Sequence, residues 1–121
     1  MKETMVPLDQ LQSGAAAFAG CALPEACLAG AWLYYGNWDE AHKAAQDLDT
    51  VDGSYWHAII HRREPDEANA RYWFRKAEQH PIYMEMKKTA ARSGSNYPVP
   101  VTPELEKLEW ETLFAYCARK S

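Results

Sequence analysis

The sequence predicts an all-α fold of tandem antiparallel helical hairpins closed by a C-terminal helix. Three observations predict it. Helix-start and helix-stop residues recur in order along most of the chain. No apolar–polar alternation persists over four residues outside the short "YPVPV" run at 97–101. Two segments, "GNWDEAHKAA" (36–45) and "REPDEANARY" (63–72), align at an offset of 27 residues and share "DEA". In each, that tripeptide marks the start of the second helix of a pair.

The elements follow from their punctuation. Pro24-Glu25 opens the first helix, with Pro at its first position and an acid in its first turn. Gly36 closes it as a C-terminal cap. Asn37 follows as an N-cap, and Glu40 three residues on completes a capping box for a second helix running to about Leu48. "DTVDGS" (49–54) is a turn cluster. Ser54 or Asp52 is expected to cap the third helix, which must end near Glu64 because Pro65 disfavours helical geometry in the residue before it. Pro65-Asp66-Glu67 begins the fourth helix, ending near Gln79. A fifth runs from Ile82 to Arg92, with His80 at its boundary. "SGSNYPVPVTP" (93–103) is irregular. Thr102 caps a last helix from Pro103 to about Arg119, with Leu105, Leu108, Leu113, Phe114 and Cys117 mostly on one face.

The core follows from the same periodicity. In the third helix Tyr55, Trp56, Ile59 and Ile60 share one arc. In the fourth, Ala70, Trp73, Phe74 and Ala77 form one stripe, while Ala68 and Tyr72 lie on another side. A helix apolar on two sides is expected to be sandwiched between neighbours.

With 121 residues the chain fits one domain, 1–121, large enough to bury a core of its own. Apolar residues are 47% and charged residues 25%, a globular composition. The formal charge of −4 lacks the basic footprint that phosphate backbones require, so nucleic acid is not expected as a partner. Nor is there a basic amphipathic stripe for a membrane surface. Cys21, Cys27 and Cys117 have neither zinc-ribbon nor redox spacing and read as reduced, mostly buried thiols. "AAAFAGCAL" (15–23) approaches a lipoprotein cleavage site, but Asp9 interrupts the run upstream and Lys2 is the only basic residue before it. A cytoplasmic protein is the expectation.

Chemistry concentrates in "SYWHAIIHRREPDEANARYWF" (54–74). His57, His61 and Glu64 recur at steps of four and three, on a stripe flanking the apolar arc. Three functional readings compete with a purely structural polar network. Two histidines at i and i+4 can reach one metal ion, with Glu64, Asp66, Glu40 or His42 completing the set. The zinc-peptidase pattern itself fails, since Ala58 stands where its Glu belongs. Alternatively, His57 or His61 acts as a general acid or base oriented by Glu64 or Asp66, although no nucleophile with a partner is visible. Finally, Arg62 and Arg63 offer forked donors to a carboxylate or phosphate.

The expected function is a binding or interaction module with a polar groove formed by His57, His61, Arg62, Glu64, Asp66, Asn69 and His42, taking a partner protein or a small anionic ligand. No cofactor is expected. The alternative is a metal-dependent or acid–base enzyme centred on His57 and His61, with Glu64 as a further ligand of any divalent ion.

Two resemblances bear on this. The run "YW…NARYWFRKA" resembles a short relative of the tetratricopeptide repeat, which implies stacked α–α layers. Residues 53–83, with "AWLYYGNWDEAHKAAQDLDT" (31–50) and "WETLFAYC" (110–117), resemble a family of bacterial and fungal proteins of unassigned function. The shared positions are His57, His61, Arg62, Glu64, Asp66, Asn69 and Trp73. The resemblance implies a site at these residues and no particular reaction.

Overall fold

The computed structural model describes residues 25–119, and these form six helices with no strand among them. In chain order they are α1 (Glu25–Tyr34), α2 (Trp38–Asp47), α3 (Val51–Arg63), α4 (Glu67–Lys76), α5 (Pro81–Arg92) and α6 (Pro103–Arg119). Sequence neighbours pack on one another: α1 on α2, α2 on α3 and α3 on α4. The last helix then folds back across α1 and α5. The hairpin arrangement is therefore observed. Cys21 and the 15–23 run lie outside the described residues.

The turns show why the chain reverses where it does. At the end of α1, Gly36 has φ +80°, a conformation that costs a side chain with a Cβ dearly. It lets Gly36 N–H donate to Leu33 O (3.0 Å) and Asn37 N–H to Trp32 O (2.9 Å), which is a Schellman ending. Asn37 at once caps α2, its side-chain oxygen accepting from the Glu40 amide at 3.4 Å. Two helices are thus joined by three residues with their end groups satisfied. Thr102 caps α6 as expected, accepting from the Leu105 amide at 3.1 Å.

The start of α3 corrects the sequence reading. The cap is Thr50, not Ser54 or Asp52, and its hydroxyl accepts from the Gly53 amide at 3.2 Å. Most of "DTVDGS" is therefore helix, not turn. Gly53 explains how a glycine sits in that first turn. A Cβ there would lie 2.1 Å from the Leu48 carbonyl oxygen, so the α2–α3 corner closes only over a bare backbone. Asp52, freed from capping, is buried and accepts from His80 Nε2 at 2.6 Å. His80 Nδ1 accepts from the Ile82 amide at 3.1 Å, so His80 caps α5 and places its proton on Nε2.

The core sits where α3 meets α1, α4 and α6. Tyr55, Trp56, Ile59 and Ile60 are fully buried, as their spacing predicts. Trp56 donates its indole N–H to Ala26 O and Trp110 donates to Gly30 O, both at 2.9 Å, tying α3 and α6 to α1. Two expectations fail at the surface. In α4, Ala70, Phe74 and Ala77 are buried, but Ala68 and Tyr72 are exposed and Trp73 is only partly covered. That helix packs on one side and is not sandwiched. Leu108 of α6 is also exposed, while Glu109 beside it is wholly buried.

Candidate metal centre

Three histidines converge at the junction of α2 and α3. His42 comes from the middle of α2, and His57 and His61 lie one turn apart on α3. One ring nitrogen from each lies within 4.8 Å of the others. His42 Nε2 and His57 Nε2 are 3.0 Å apart. Nitrogen ligands placed tetrahedrally at the usual zinc distance of roughly 2.0–2.1 Å are themselves about 3.3 Å apart, close to the His42–His57 separation.

The surroundings fix the rings. Trp73 stacks flat on His57, with centroids 3.9 Å apart and planes 13° apart. His61 stacks on His57 as well, at 5.0 Å and 17°. His42 meets both edge-on, at 85° and 84°. His57 is therefore covered by rings, and only 5% of its surface is exposed. Burial, and then the neighbouring His42 and His61, lower its pKa to about 4. His57 Nε2 shares a hydrogen bond with His42 Nε2, and a neutral ring can turn that nitrogen's lone pair to an ion, which a protonated ring cannot.

Glu64 and Asp66 complete the surroundings from behind. Their carboxylate oxygens lie 3.6 and 3.5 Å from His61 Nδ1, which is buried and has no direct hydrogen bond. A proton on Nδ1 faces these two carboxylates and leaves Nε2 as the basic nitrogen. In known metal sites outer-shell carboxylates orient ligating histidines by accepting that N–H directly, a bond these two oxygens approach without making. Glu64 thus stands behind His61, and of the residues expected to join His57 and His61 it is His42 whose ring nitrogen comes near theirs. Asp66 starts α4 without a side-chain cap bond, and accepts instead from exposed Asn69 at 2.8 Å.

Arg62 is not part of this group. It leaves α3 on another side, is nearly buried, and donates to Glu109, to Glu106 (3.3 Å) and to Pro98 O (3.0 Å). Tyr97 donates to the same Glu109 at 2.5 Å and is hydrogen-bonded to Tyr55. Burial, and then the Glu109 charge, push both phenols well above their ordinary pKa, so both remain protonated donors. The expected groove with Arg62 beside the histidines therefore divides into two assemblies. One is the histidine cluster; the other is a neutralised core network. Residue spacing alone missed Glu109, although a carboxylate between Leu105 and Leu113 on an apolar face signals a buried partner.

The Cys27 thiol stays protonated by the same physics. Burial, and then Asp52, push it up to about 12, and Cys27 and Cys117 are both buried. No helix among the described residues is long and apolar enough to cross a membrane. No family model, curated protein or solved structure matches this chain.

Proposed function

We propose that this chain is a divalent-metal-binding helical domain, with His42, His57 and His61 as ligands. One observation carries the reading: three imidazoles from two helices converge within 4.8 Å. The neutral state of His57 and the carboxylates behind His61 support it. Three nitrogen donors without thiolate or ligating carboxylate suit zinc, copper, nickel or cobalt better than magnesium or calcium. A fourth position stays open to water or to an exogenous donor, the arrangement of non-structural zinc sites.

Elemental analysis should find near-stoichiometric metal in protein purified without chelator. Zinc at a hundred times its dissociation constant should stabilise the fold by about 2.7 kcal/mol, read as a raised Tm. His42→Ala, on the flank of the cluster, should lose that stabilisation while remaining folded. Identical melting curves with zinc and with chelator, together with no bound metal, would end the reading.

A second reading, a module for a partner protein or small ligand, is favoured by a different feature. A cleft of about 500 Å³ lies between Trp38, Arg63, Pro65 and the 99–101 segment. It involves none of the three histidines. Arg63 faces Glu106 at 3.3 Å, so an anion entering there competes with an existing ion pair.

A further inference from the structure

The three-histidine reading has a mechanical consequence, because its ligands belong to helices of very different anchorage. On α3, Tyr55, Trp56, Ala58, Ile59 and Ile60 are all fully buried. On α2, the only buried residues are two alanines, Ala41 and Ala45. Half-buried Trp38 and Ala44 add to them, yet no large apolar side chain of α2 is fully buried, so less apolar area holds α2 than α3. The rest of α2 is largely charged or polar, with Asp39, Glu40, Lys43, Gln46 and Asp47 along ten residues. A ten-residue helix of this kind gains its order from tertiary contact, not from propensity alone. Its side-chain links to α3 at the cluster are the contacts of His42 with His57 and His61.

We infer that a bound ion acts as a clamp that docks α2 onto α3, making α2 a metal-responsive flap over the His57–Trp73 pair. An ion held by His42 on one side and His57 and His61 on the other exists only when α2 is seated. Binding and docking are therefore linked, and each strengthens the other. Elements with few buried apolar contacts open locally before the rest of a fold. Opening here uncovers a specific surface. Ala45, Gln46 and Leu48, from α2 and its end, line a recess together with Ser54, His57 and Trp73. Withdrawing α2 uncovers the ring edges that His42 meets, while the ring faces stay stacked on one another. The local concentration of the ion then sets how often α2 is seated.

The clamp rests on the metal reading, and hydrogen–deuterium exchange of the full chain separates the two. Exchange is followed with EDTA and with saturating Zn²⁺, and binding is measured in parallel by calorimetry. Without metal, amides of residues 42–47 should exchange at least tenfold faster than those of residues 56–61. Zn²⁺ should slow the α2 amides at least tenfold, with a smaller change in α6. In His42→Ala, α2 exchange should no longer respond to Zn²⁺. Calorimetric binding that leaves α2 exchange unchanged would overturn the clamp and leave the metal site standing. So would α2 amides in EDTA as slow as those of α3, or a persisting response in His42→Ala. Absence of binding would overturn both.

Discussion

Glu109 is wholly buried in an apolar helix face, yet Arg62, Tyr97 and, through Tyr97, Tyr55 surround it. An ion pair removed from water repays its desolvation only when its remaining lone pairs are also satisfied, and here Tyr97 supplies that bond. The energetic asymmetry is the testable point. Glu109→Ala leaves the buried guanidinium only Glu106 and the Pro98 carbonyl, and should destabilise the fold by about 3 kcal/mol in chemical denaturation. Arg62→Met combined with Glu109→Leu removes both charges and fills similar volume, so it should cost much less than Glu109→Ala alone. Equal losses in the two proteins would show that packing, not charge compensation, is what Glu109 supplies. The same contrast separates Arg62 from its neighbour His61. Adjacent residues on one helix serve a core network and a surface-edge cluster because they leave α3 about 100° apart.

At the scale of elements, what was legible in the sequence is what local chemistry decides. Gly36-Asn37 and Thr102 act through their own backbone and the next three residues, so their ends fall where the sequence puts them. The start of α3 was not legible, because it depends on a contact between segments. Thr50, Asp52 and Ser54 are all competent caps. The choice falls on Thr50 because Gly53 must pass 2.1 Å (as a notional Cβ) from Leu48 O, and because Asp52 is required by His80. Gly53→Ala tests this. Alanine is the better helix former by about 1 kcal/mol. The clash is with backbone, which cannot rotate away, and overpacking of that kind typically costs about 1–3 kcal/mol. The prediction is net destabilisation, seen as a lower denaturation midpoint at unchanged slope. Net stabilisation would mean that the α2–α3 corner is looser than its geometry. The candidate site divides in the same way. His57 and His61 show themselves by a spacing of four. His42, named from the sequence among the groove residues, joins them across a corner, while Asn69 at the aligned position of the second segment has a different role, exposed and bonded to Asp66.

For the whole molecule, the histidine cluster ties stability to pH. In the unfolded chain His57 titrates near 6.5, while burial, and then His42 and His61, bring it to about 4 in the fold. Between those values the unfolded chain takes up a proton that the folded chain refuses. Stability therefore rises with pH across this window. The contribution is fully present above about pH 6.5 and is lost as pH falls towards 4. Carboxylates that titrate over the same range obscure it in the wild-type curve alone. The difference between wild type and His57→Gln, both in chelator, cancels most of them. The wild-type advantage over His57→Gln should shrink by about 2 kcal/mol as pH is lowered from 7 to 4.5. Raising zinc should restore much of the lost stability near pH 6, where the folded protein offers an almost wholly neutral His57 and the unfolded chain a mostly protonated one. His57→Gln should show no such recovery. A pH-independent difference between the two proteins would mean that His57 titrates alike in the folded and unfolded chain, and that Trp73 and the two histidine rings leave it open to water.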